Sequence, residues 1–120
     1  MAKTLGTIGN ELNILFRAGT TWGSYQLTIK NKDGTPVNLT GYTFSARIKR
    51  TISSADIVAS ITVDPIDLPN GIVALLIPAT TTSTIQPSGS SPYVWDMEMT
   101  DPLGFVEPLF FGEVEVIGNV

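Results

Sequence analysis

YVWDMEMT, residues Tyr93 to Thr100, is the stretch that decides the fold. Tyr93, Trp95, Met97 and Met99 alternate with Val94, Asp96, Glu98 and Thr100. A period of two places large apolar side chains on one face of an extended chain and mostly polar ones on the other, which marks an antiparallel strand with one wet side. The same alternation recurs along the chain. Leu12, Ile14 and Phe16 are set among Asn13 and Arg17; Tyr25, Leu27 and Ile29 alternate with Gln26, Thr28 and Lys30. Tyr42, Phe44, Ala46 and Ile48 alternate with Thr43, Ser45, Arg47 and Lys49, and Ile57, Ala59, Ile61 and Val63 with Val58, Ser60, Thr62 and Asp64.

Two segments break the pattern. Residues 71–77, GIVALLI, are apolar on both faces, which suits a central strand or one whose outer face meets another chain. Phe105 to Ile117 is interrupted by Pro108 and Gly112. Proline cannot donate to a ladder, so an edge or a bulge is expected there. The connections carry turn chemistry at Lys32-Asp33-Gly34, Leu68-Pro69-Asn70-Gly71 and Asp101-Pro102-Leu103-Gly104. Pro78 to Ser91 is the one stretch without strand character. A single helical turn near 78–86, with Pro78 at its start, is expected to carry the chain from one sheet to the other.

Together these segments predict an all-β fold, an immunoglobulin-like antiparallel β-sandwich of about seven strands. At 120 residues the chain is the size of one domain, with 42% hydrophobic and 15% charged residues, a balance that argues against disorder. The expected organisation is a flexible N-terminal arm over 1–11, containing Gly6-Thr7-Ile8-Gly9-Asn10, followed by one sandwich over 12–120. Met1-Ala2-Lys3-Thr4 leads into no apolar run of the kind a secretory leader needs, and Ile72 to Ile77 is too short to cross a bilayer as a helix.

The chain has no cysteine and no histidine. That removes thiolate chemistry, the commonest metal ligand and the side chain best suited to proton transfer near neutral pH. No catalytic residue, cofactor or metal is therefore expected. Asp96 and Glu98 share a face as a glycosidase pair would, but they alternate with core residues. The better expectation is that they form cross-strand ion pairs with Arg47 and Lys49. Asp64 and Asp67, flanking Pro65-Ile66, fall short of a calcium loop. Asn38-Leu39-Thr40 reads as a chance sequon.

Charge is unevenly spread. Residues 1–50 hold all seven basic groups and two acids, and residues 51–120 hold nine acids and no base. Such a chain either docks head to tail or pairs basic with acidic strands inside one sheet. The acidic total of −4 disfavours nucleic acid. Leu76 on the doubly apolar strand, Phe111 on the last strand and Trp22 at the start of another are the candidate interface residues.

Two stretches carry a family likeness. YQLTIKNKDGTPVNLTGYTFSARIKR (Tyr25–Arg50) runs strand, Asp-Gly-Thr-Pro turn, strand; YVWDMEMTDPLGFVEPLFFGEVEV (Tyr93–Val116) runs aromatic strand, Asp-Pro-Leu-Gly hairpin, Gly-Glu-Val-Glu-Val. The chain resembles small immunoglobulin-like β-sandwich domains of tailed-phage virion proteins, akin to the N-terminal domain of baseplate upper proteins. The resemblance covers most of residues 12–117 and rests on turn and core patterns, so no functional residue is carried over. It implies a non-enzymatic tail or baseplate adaptor or attachment protein, located in the virion and made in the host bacterial cytoplasm. Its expected partners are other virion proteins and further copies of itself, joined through sheet edges and the N-terminal arm, with no nucleic acid and no membrane. The alternatives are a capsid decoration protein and a carbohydrate- or receptor-binding module using Trp22 or Tyr42.

Overall fold

A computed structural model describes residues 10–31 and 33–118. Strands β1 (Asn10–Glu11), β2 (Ile14–Arg17), β3 (Trp22–Thr28), β4 (Thr43–Lys49), β5 (Ile57–Ser60) and β6 (Thr62–Asp67) come first. A 3-10 turn, Leu68–Asn70, leads into β7 (Ile72–Ile77), which is followed by helix α1 (Ala79–Thr82), β8 (Tyr93–Thr100) and β9 (Val106–Ile117). One sheet has the order β1-β9-β8-β4-β5 with β2 also on β9, and the other has the order β3-β7-β6. This is the immunoglobulin-like sandwich the alternation predicts. In immunoglobulin lettering, G, F, C and C′ form one layer, and B, E and D the other.

The alternating segments bury what the period requires. Tyr93, Trp95, Met97 and Met99 on β8, with Ile48, Leu109, Val114 and Val116 from its neighbours, face Val73, Leu75 and Ile77 of β7. Burying each such side chain is worth about 1.5–3 kcal/mol. β7 is the central strand of its sheet, which is why its outward Ala74 is fully covered. Tyr93 closes the corner between the layers. Its hydroxyl donates to the Gln86 carbonyl at 2.8 Å, and the Arg50 guanidinium lies 4.6 Å from its ring centroid. This is the tyrosine corner of immunoglobulin-like folds. Helix α1 is the expected turn, with Pro78 as its N-cap residue.

Four local expectations are corrected. Pairing is not antiparallel throughout: β1 and β2 run parallel to β9, Asn10 beside Phe110 and Ile14 beside Val114. Asn10 and Glu11, assigned to the arm, form β1, while the rest of the arm, residues 1–9, lies outside the described residues. Leu12 does not begin a continuous strand, because the chain breaks step at Leu12-Asn13 between β1 and β2. The apolar run 57–63 is not one strand either. At Ile61, whose N–H donates to the Ala46 carbonyl at 2.9 Å, the chain leaves β4's sheet and continues as β6 beside β7. The interruption at Pro108 is the expected bulge: the β8–β9 register shifts there, and Leu109 turns fully into the core.

Gly71 shows why the Asn-Gly turn is needed. Its φ is +75°, and a Cβ at this position would meet the carbonyl oxygens of Ile29 at 2.6 Å and Val37 at 2.9 Å. Only glycine permits both the left-handed conformation and the close approach that seats the buried loop residues Val37 and Leu39.

Candidate interaction surfaces

The outer face of the larger sheet brings together Arg47, Asp96 and Glu98. Register sets Arg47 opposite Asp96 and Ser45 opposite Glu98. The Arg47 Nε donates to Asp96 Oδ1 at 3.2 Å and its Nη2 to Glu98 Oε1 at 3.0 Å. One guanidinium thus bridges both carboxylates, joining the basic first half of the chain to the acidic second half within a sheet. Lys49 does not join this pairing. It stands opposite Val94, and among the described residues it makes no ion pair with Asp96 or Glu98.

Beside this cluster lies a shallow, largely apolar groove of about 190 Å³, lined by Lys49, Ile52, Val94 and Phe111 among others. Phe111 is half-buried, opposite Asp96 on β8, and the Ile52 side chain stands over the groove, 81% exposed. Leu76 is half-buried on the outer face of the smaller sheet, between Gly23 and Thr62. Trp22 packs partly against the core. Its ring stacks on Tyr25, with centroids 6.0 Å apart and planes 10° from parallel. The structure therefore separates the three candidate interface residues: Phe111 is on one face, Leu76 on the opposite face, and Trp22 on the outermost strand of the smaller sheet.

The most exposed apolar group carries no mark in the alternation. At the β8–β9 hairpin tip, Leu103 is 83% exposed, Phe105 66% and Val106 57%. This loop is ordered by Asp101. Its Oδ1 accepts the N–H groups of Leu103 and Phe105, both at 2.9 Å, and its own N–H donates to the Phe105 carbonyl at 2.9 Å. The signal that could have found it is the turn itself: a large apolar side chain inside Asp-Pro-Leu-Gly has no core to enter. Nearby, the half-buried Tyr42 phenol is held above its ordinary value, first by burial and then by the negative charges of Asp101 and Glu107.

Asp33, at the turn between β3 and β4, is held below its usual value because the Thr35 hydroxyl and backbone N–H donate to its carboxylate. Asp67 accepts a hydrogen bond from Asn70 Nδ2 at 2.8 Å, and Asp64 stands opposite Ala74. Among the described residues, no three acidic side chains gather into a metal-sized group, and no helix is long and apolar enough to cross a membrane. No protein-family model matches the chain, and a comparison with curated proteins finds no match.

Proposed function

We propose that this chain is a non-catalytic structural adaptor of a tailed-bacteriophage particle, holding other virion proteins in place by protein–protein contact. The proposal rests on the likeness of Tyr25–Arg50 and Tyr93–Val116 to immunoglobulin-like virion domains. The observation that carries the contact mode is the β8–β9 hairpin tip. Leu103, Phe105 and Val106 stand clear of the core on a turn pinned by the Asp101 carboxylate. A rigid apolar prong loses little conformational freedom on docking, so more of its burial reaches the net affinity. With the Asp101 carboxylate at its base, the prong suits an apolar pocket with a basic group on its rim.

The test is co-elution of the purified chain with purified tail and baseplate proteins, compared with its binding to capsids. A stable complex with a tail or baseplate protein, abolished by Leu103→Ser with Phe105→Ser, is the expected result. Both side chains are exposed, so the double variant should change stability by less than about 1 kcal/mol. Binding to capsids alone makes the chain a decoration protein. A carbohydrate-binding reading has one observation in its favour, the Trp22–Tyr25 stack, with Tyr25 44% exposed. Binding of a glycan that Tyr25→Ala removes, with no virion protein bound, replaces the adaptor reading.

A further inference from the structure

Strand β3 is an edge of a kind that folded proteins usually protect. An unpaired edge offers a row of free N–H and C=O groups to another strand, and proteins blunt such edges with charges, proline, breaks or short length. The other edges here use these devices. β6 carries Asp64, Pro65 and Asp67; β5 has four residues; β1 and β2 are interrupted at Leu12-Asn13 and bear Glu11 and Arg17. β3, Trp22 to Thr28, has seven residues with no charge and no proline; a bulge interrupts its pairing with β7 between Gly23 and Tyr25, the run from Tyr25 to Thr28 pairs regularly, and among the described residues no strand pairs with its outer side.

The hydrogen-bond parity of β3 is readable. The Ile29 N–H donates to the Gly71 carbonyl at 2.8 Å, and the Ile29 carbonyl accepts from Val37 N–H at 2.9 Å. Both groups point toward the β7 side. Alternation along a strand then directs the N–H and C=O groups of Leu27 to β7 and those of Gln26 and Thr28 outward.

We propose that β3 pairs antiparallel with the β3 of a second copy about a twofold axis at Leu27, joining the two three-stranded sheets into one six-stranded sheet. In this register Gln26 of one copy exchanges two backbone hydrogen bonds with Thr28 of the other, and Thr28 with Gln26. The four outward groups of Gln26 and Thr28 on each copy are then satisfied. The half-buried Leu27, opposite Val73 on the core side of the sheet, meets its counterpart across the axis, and Tyr25 meets Ile29. The only charged side chain within the paired stretch, Lys30, falls opposite Ser24, so no like charges meet. A second copy is the favoured occupant because the edge complements itself group for group. It also bears no charge with which to select a different chain. Because the contact is isologous, the assembly closes as a dimer.

The test uses the purified chain and light scattering across a concentration series. Wild type should move from monomer mass toward twice that mass. Gln26→Lys with Thr28→Lys places lysine opposite lysine at two positions and should hold the protein at monomer mass, with the thermal midpoint that wild type shows at concentrations where it is monomeric, since both side chains are exposed. Gln26→Glu with Thr28→Glu should do the same, and mixing the two variants should restore the dimer. Gln26→Lys with Thr28→Glu places opposite charges across the axis and should dimerise at least as well as wild type. A wild type that stays monomeric overturns the proposal and leaves the edge to a strand of another protein. Assembly that survives the double lysine variant overturns it too. If the variant with Gln26→Lys and Thr28→Glu is monomeric, the Leu27-centred register is overturned. The pairing uses backbone groups of β3 and not the hairpin tip. It can fail while the adaptor function stands, and the reverse.

Discussion

The Trp95 indole Nε1 donates a 2.7 Å hydrogen bond to the carbonyl of Leu12, 83 residues earlier in the chain. Trp95 lies on β8 and Leu12 in the break between β1 and β2, with β9 between them. The ring crosses β9 at Gly112, its register partner, the one position there without a side chain. Around the same break, Leu12 N–H donates to the Phe111 carbonyl at 2.8 Å, and Asn13 Oδ1 accepts the Glu113 N–H at 3.0 Å. The first strand is therefore held to the sandwich by a tryptophan and an asparagine where its ladder is interrupted.

Replacing Trp95 by Phe keeps an aromatic ring in the core but leaves the Leu12 carbonyl without its donor. A buried acceptor left unsatisfied costs about 1–3 kcal/mol, and the smaller ring adds to the loss. Urea denaturation should show a lower midpoint with an unchanged slope. An unchanged midpoint would mean that water takes the place of the indole.

Gly112→Ala should be at least as damaging. A Cβ there would collide with the Leu12 carbonyl oxygen and come within 2.9 Å of Asn13 Oδ1. Both are parts of the fastening itself, so relief requires β1 to move away from β9. The expected loss is about 1–3 kcal/mol from overpacking alone, with faster amide exchange at Leu12 and Glu113. Protection at these two amides equal to wild type would contradict this account.

Thr82→Val tests the joint between the α1 turn and the connection from β2 to β3. The buried Thr82 hydroxyl donates to the Thr20 carbonyl at 2.7 Å and accepts the Gly19 N–H at 3.1 Å. Valine has nearly the same shape and neither capability, leaving a donor and an acceptor unpaired at a cost of about 1–3 kcal/mol. Serine at this position should recover most of the loss, as read from the thermal midpoint.

Tyr42 gives the chain an alkaline limit. Its proton is held more tightly in the folded state than in the unfolded chain, where the value is 10.0. The associated stability is fully present below pH 10 and is lost as pH rises through the folded value. The stability gap between wild type and Tyr42→Phe should be constant at neutral pH and move in favour of the variant above pH 10. A gap that does not change with pH in that range would show that burial and the Asp101 and Glu107 charges do not act on this phenol.

The layers and most of the core were legible in the alternation. Tyr93, Trp95, Met97 and Met99 are buried in turn because a pleated strand has only two faces. The turns at Asp33-Gly34, Asn70-Gly71 and Asp101-Pro102 were legible from residue chemistry. The Arg47 bridge to Asp96 and Glu98 followed from placing a basic strand beside an acidic one. Lys49 was misassigned because its opposite number, Val94, depends on register, and register is a property of two strands.

The sequence by itself determined which residues face inward, where the chain turns and that no histidine or cysteine chemistry is available, because periodicity, backbone preference and side-chain chemistry are local. Only the tertiary structure decided that β2 lies parallel to β9, that the chain changes sheets at Ile61, that Leu103 and Phe105 stand outside every core and that β3 has no described neighbour on its outer side. These outcomes depend on which distant segments pair. Apart from proline, every residue offers the same backbone hydrogen-bond groups, so the choice of partner rests on how whole faces pack.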